Sequence, residues 1–157
     1  MKKTICFLLV LCSMVLSPLS ALCASVNQDA IDNLLSAHNY VDNTEGVYSN
    51  ATYNPKLNSI VFEVAYDGLA EIVIEYCDEK NYDREGWDET KDLFFTLYSS
   101  YEPLLSLYGL KNVSIVLCFL NDDVYIRQDY SNALYNLLFV IKDGEVVFDI
   151  VEEMHKN

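Results

Sequence analysis

Apolar residues recur along this chain with two different periods. From Ser59 to Tyr66 they alternate: Ile60, Phe62, Val64 and Tyr66 fall on one side, Val61, Glu63 and Ala65 on the other. Period two marks a strand with one buried face. Val47 to Tyr53 alternates in the same way. The intervening Asn54-Pro55-Lys56-Leu57-Asn58 suits a turn, since proline fixes φ and asparagine tolerates turn geometry. Val47 to Asp67 therefore reads as a β-hairpin, ended by Asp67-Gly68.

The period then lengthens. A helix is predicted from Leu69 to about Lys80, with Ile72, Val73 and Tyr76 on one side. The β-forming run Ile72-Val73-Ile74 makes a short strand its rival. Beyond the break at Asn81-Tyr82-Asp83, Trp87, Phe94, Leu97, Tyr98, Tyr101, Leu104, Leu105 and Tyr108 recur at steps of three and four. That spacing predicts an amphipathic helix of about six turns. Asp83 suits its N-cap and Gly109 its C-cap, while Pro103 should kink or restart it.

The remainder reads as β. Val113 to Leu120 is an almost unbroken apolar run, as in a central strand. Asn121-Asp122-Asp123 is expected to turn the chain. Tyr125 to Asn132 reads as a polar loop or a short edge strand, and Leu134 to Ile141 as the next strand. Asp143-Gly144, within Lys142-Asp143-Gly144-Glu145, supplies the positive φ of a type I′ hairpin turn. Val146 to Val151 returns, and Glu152 to Asn157 reads as a polar tail. The order β-β-α-α-β-β-β argues an α+β fold: an antiparallel sheet of about five strands with two central helices packed on one face.

The first residues carry a different pattern. Lys2 and Lys3 precede an apolar run from Ile5 to Leu16, broken only by Ser13, and small residues follow up to Ala21-Leu22-Cys23-Ala24. This is the layout of a secretory signal peptide over residues 1–24, with cleavage near residues 23–24. Leu22 before Cys23 departs from a lipoprotein signal, which wants a small residue there. The apolar run is short of a membrane span, which needs roughly 18–20 residues, and Pro18 breaks it. No membrane span is expected after signal removal. Residues 25–46 read as a short helix capped by Asp29, carrying Ile31, Leu34 and Leu35, followed by a linker. Residues 47–157 read as a single α+β domain.

Composition narrows the function classes. Of 157 residues 24 are acidic and 10 basic, a formal net charge of −14. Without Lys2 and Lys3 the balance is −16. A nucleic-acid partner is excluded, because phosphate neutralisation needs a surplus of Lys and Arg. At 52% hydrophobic the chain can build a core, so a disordered acidic tail is excluded too. Outside the signal segment and its edge two cysteines remain. In an exported protein Cys77 and Cys118 can pair if the first helix lies over the strand carrying Cys118; the alternative is two separate buried thiols.

Chemistry is sparse. His38 and His155 sit near the ends in no motif, and a Ser-His-Asp or Cys-His arrangement would need one of them carried onto the core. The five glycines are scattered, with no phosphate loop, and neither His-x-x-x-His nor Cys-x-x-Cys occurs. Asn121-Asp122-Asp123 offers oxygen ligands but not the alternating spacing of a calcium loop. Catalytic, cofactor-binding and metal residues are accordingly assigned to none. The densest acidity spans residues 75–92 and includes Asp83, Glu85, Asp88 and Glu89. Tyr125 and Tyr130 add amphipathic rings to a carboxylate-bearing connection. These six residues form the candidate interaction surface, with a protein or a glycan as partner. The pattern specifies no oligomeric state.

Four segments are familiar together: the Tyr53–Tyr66 return strand, the Trp87-containing helix ending at Gly109, the Val113–Leu120 strand leading into Asn121-Asp122, and the closing Leu137-Leu138-Phe139-Val140-Ile141-Lys142-Asp143-Gly144-Glu145-Val146-Val147-Phe148-Asp149. Over residues 46–151 this resembles small exported proteins of unknown function from clostridial-type Gram-positive bacteria. The resemblance implies export and an α+β fold, and brings no activity or catalytic residues. The expected function is a non-catalytic binding or interaction domain at the cell envelope or outside the cell. One alternative is an inhibitor or immunity-type protein whose acidic surface meets a basic partner, and another is a small hydrolase.

Overall fold

A computed structural model of the chain describes residues 28–39, 45–80, 82–127 and 136–156. The signal segment 1–24 and Tyr130 lie outside the described residues. Helix α1 covers residues 28–39. The hairpin β1 (Val47–Asn54) and β2 (Ser59–Tyr66) follows, then α2 (Leu69–Cys77), α3 (Arg84–Leu107) and β3 (Ser114–Leu120). A one-turn helix α4 (Asp122–Tyr125), the hairpin β4 (Leu137–Lys142) and β5 (Glu145–Asp149), and a short α5 (Ile150–Met154) complete the fold.

The five strands form one sheet in the order β1-β2-β3-β4-β5. The fold is α+β, but the sheet is mixed rather than antiparallel: β2 and β3 run parallel, and the other three pairs are antiparallel. Both helices account for this. Parallel neighbours need a long crossover, and α2 with α3 supplies one. The 24 residues of α3 span about 36 Å, more than the roughly 27 Å of β2. The chain is thereby carried back to the end where β2 began, and Ser114 donates its N–H to the Asn58 carbonyl at 3.0 Å. The element order is also corrected in two places. Asn121-Asp122-Asp123 is not a bare turn: Asn121 caps α4 by accepting the Asp123 N–H at 2.9 Å. Residues 150–154 are neither strand nor polar tail but α5, with Ile150 and Val151 buried.

α3 starts and stops as its sequence directs. The Asp83 side chain accepts the Glu85 N–H. At the other end Gly109 takes φ +73°, its N–H reaches Ser106 O and the Leu110 N–H reaches Leu105 O, both at 3.0 Å. This left-handed cap satisfies the last carbonyls, and glycine adopts it without a Cβ penalty. Pro103 lies inside the helix, which neither stops nor restarts there.

The core lies between the helices and one sheet face. Ile60, Phe62 and Val64 pair in register with Ile115, Leu117 and Phe119, and these last two meet Ile141 and Phe139 of β4. α3 crosses this face diagonally. Trp87 meets Phe139 edge-on (centroids 6.0 Å), Phe94 stacks on Phe119 (4.2 Å) and Tyr101 packs on Phe62 (4.1 Å). α1 packs beside it through buried Ile31 and Leu34. On the opposite face a row runs Asn50–Glu63–Cys118–Val140–Phe148 across all five strands.

Candidate interaction surface

The two sheet edges are built differently. At β1 the end of α1 covers the edge at Ala51. The Asn39 amide donates to the Ala51 carbonyl (3.1 Å) and accepts the Ala51 N–H (2.8 Å). It thus satisfies both backbone groups, as a neighbouring strand would. Beside it His38 Nε2 lies 2.8 Å from Ser49 Oγ, and its ring packs edge-on against Phe62. The fold therefore does carry a histidine onto the core and onto a serine, which spacing along the chain could not show. His38 and Ser49 line neither of the two clefts described below.

Among the described residues nothing pairs with the outer edge of β5. The turn that launches β5 is rigid: Asp143 and Gly144 take φ +49° and +81°, as a type I′ turn requires. Asp143 also exchanges hydrogen bonds with Ile115 of β3, through its N–H and its Oδ1, both at 3.0 Å. Val147 is the extra residue of a bulge, since Val146 pairs with Ile141 and Phe148 with Val140. Val146 and Val147 are 42% and 57% exposed. Asp149 ends the strand and is buried. Its Oδ2 accepts the Trp87 indole N–H at 3.0 Å, and its Oδ1 caps α5 at the Glu152 N–H at 3.1 Å.

A cleft of about 350 Å³ follows β5, walled by α3 and α5. Its charged lining is Arg84, Lys91 and Lys156 against Asp149, Glu152 and Glu153. Lys91 bridges Asp88 at 2.6 Å and Glu152 at 3.7 Å. Partial burial pulls its pKa down, but the hydrogen bond and charge of Asp88, with the charges of Asp149 and Glu152, leave it raised. A second cleft of about 350 Å³ lies under the end of α3, where Tyr98, Glu102, Lys111 and Asp143 meet. Burial, then the charges of Glu102 and Asp143, raise the Tyr98 pKa against the opposing Gly144 amide.

The acidic stretch behaves as a surface. Asp83, Glu85, Asp88 and Glu89 are all exposed on the first turns of α3, and Asp78 and Glu79 are exposed just before it. The Lys91 hydrogen bond lowers the Asp88 pKa more than its slight desolvation raises it, with the charges of Lys91 and Arg84 assisting. Tyr125 is not beside this stretch. It ends α4, half-buried, with its ring 5.2 Å from that of Tyr48 on β1.

Cys77 and Cys118 are both unpaired thiols. Cys77 ends α2 on the helix side of the sheet, whereas Cys118 alternates with Leu117 and Phe119 and faces the opposite side. The fold does not bring them together. Burial, then the Glu63 charge, pushes Cys118 up to about 11. Burial also raises Cys77, with Asp149 adding to it.

The oxygen atoms of Asn121-Asp122-Asp123 are engaged within the protein. Asp122 is 1% exposed, and its carboxylate accepts the Gly68 and Ala70 N–H groups at 2.8 and 2.6 Å. Arg127 bridges Asp67 (2.6 Å) and Asp123 (2.9 Å). His155 donates to the Tyr76 carbonyl and stacks on Tyr82, tying α5 to the end of α2. Among the described residues no helix is long and apolar enough to cross a membrane. Comparison with protein-family models, with curated proteins and with solved structures finds no match to this chain.

Proposed function

We propose that this chain is a small exported protein that works by binding, at the cell envelope or outside the cell, and that the acidic corner between α2 and α3 is its contact surface. The observation that carries this reading is the outward projection of Asp83, Glu85, Asp88 and Glu89 from the first turns of one helix. That helix is anchored by Trp87 in the core, so the carboxylates are held on a rigid support. A surface of this sign selects a basic partner, speeds the encounter and loses strength with salt. The inhibitor or immunity-type reading is a special case, in which the basic partner is an enzyme and the corner covers its active site.

The test neutralises the corner without unfolding it. The quadruple variant Asp83→Asn, Glu85→Gln, Asp88→Asn, Glu89→Gln retains an N-cap, because asparagine caps as well as aspartate. Wild type and variant are immobilised and exposed to envelope extract at low and high salt. A basic protein held by wild type, shed by salt and lost by the variant supports the reading. An identical set of captured proteins on both, or none on wild type, overturns it.

A further inference from the structure

We propose that β5 is a self-association edge, through which two copies of this chain pair antiparallel about a twofold axis. Three observations converge on it.

The first is the asymmetry of the sheet. Asn39 occupies the backbone of β1 at Ala51 as a strand would. Among the described residues no group outside β4 bonds the backbone of β5 from Glu145 to Phe148. An open edge is a template for another strand.

The second is the composition of that edge. Val146 and Val147 stand exposed at its middle, with charged side chains around them. An apolar centre inside a polar rim is the anatomy of a protein interface.

The third is charge. Two chains of net −14 repel, so they can meet only where the surface is locally neutral. The cleft beside β5 holds three bases and three acids. In an isologous contact the bases of one copy can face the acids of the other, because both copies present the same patch. Lys91 is paired with Asp88 and Glu152 and Lys156 with Glu153 within the chain, so the patch offers a purely acidic peptide little net positive charge, whereas a second copy matches its mixed charge. A second β5 is also already an ordered strand, so pairing it costs less conformational entropy than fixing a free peptide. The bulge at Val147 keeps the shared ladder short. The contact is therefore small, with dissociation expected at about 10–100 µM.

Sedimentation equilibrium of the purified protein over a wide concentration range tests this. The mass should climb from one chain toward two and stop there. Val147→Asp should abolish the rise, since the twofold brings two new charges together at the apolar centre. Val147→Thr keeps the β-branched shape and should weaken association by about fivefold; it carries the test if the aspartate variant does not fold. Thr52→Asp, at the opposite edge, should leave association intact. A single-chain mass throughout, growth beyond two chains, or association that survives both Val147 variants overturns the proposal. So does binding of a free peptide of the Glu145–Asp149 sequence by a protein that stays monomeric.

Discussion

Asp122→Ala is the substitution that reasoning from this fold predicts to be most damaging for its size. Helix α2 begins after Gly68, which has no side chain with which to cap it. The cap comes instead from Asp122, 54 and 52 residues away from the amides it accepts at Gly68 and Ala70. Both bonds are made to an ionised acceptor, and Asp122 is 1% exposed. Removing the carboxylate leaves two amides without a partner, at about 1–3 kcal/mol each, and removes a negative charge from a helix N-terminus, worth about 0.3–1 kcal/mol. The expected loss is about 3–5 kcal/mol, against a total stability of about 5–15 kcal/mol for an ordinary domain. Arg127 keeps Asp67 and Asp123, so its position should survive. Asp122→Asn retains one acceptor oxygen but turns an amide toward the other N–H, so it should lose about 2 kcal/mol. Urea unfolding measures both. With a slope of about 2 kcal/mol/M, the midpoint should fall by about 1.5–2.5 M for alanine and about 1 M for asparagine. An alanine midpoint within about 0.3 M of wild type, or an asparagine variant less stable than the alanine one, would refute the capping role.

Three further outcomes follow from buried side chains. Asp149→Ala should orphan the Trp87 indole N–H and uncap α5, lowering stability by about 2–4 kcal/mol; Trp87 is the single tryptophan, so its emission reports the change at that site directly. Folded Cys118 holds its proton up to about 11, and burial also raises Tyr48 and Tyr98. The unfolded chain releases these protons first, from about pH 8.5 upward. From neutral pH stability should therefore hold level up to that point and fall as pH rises toward 11, with Cys118→Val flattening the early part of the decline. At pH 8 Cys118 should alkylate about 100-fold more slowly than an ordinary thiol, read by mass spectrometry of the labelled peptide.

Much of the secondary structure is encoded locally. The strands of both hairpins, the two central helices, the Asp83 and Gly109 caps and the Asp143-Gly144 turn depend on residues within a few positions of one another. The aromatic stripe from Trp87 to Tyr101 was legible as one helix face for the same reason. The candidate acidic residues were legible as a surface, because exposed charge needs no partner to be recognised. The short helices α4 and α5 were not, because one is a single turn and the other begins inside an apparent strand. A longer view of Asn121-Asp122-Asp123 as a capping sequence, with asparagine two residues before an acidic second position, was the available signal for α4.

The sequence by itself determined the two hairpins, the long helix α3 and the apolar strand β3, since period, turn residues and caps act over one or two turns of chain. The tertiary structure alone decided that β2 and β3 lie parallel, that Asp122 caps a helix from the far side of the sequence, and that Asp149 meets Trp87. It also decided that Asn39 occupies one sheet edge at Ala51, while among the described residues nothing pairs with the outer edge of β5. Each of these joins residues distant in the chain, and a buried polar group takes whichever partner the folded path brings within about 3 Å of it.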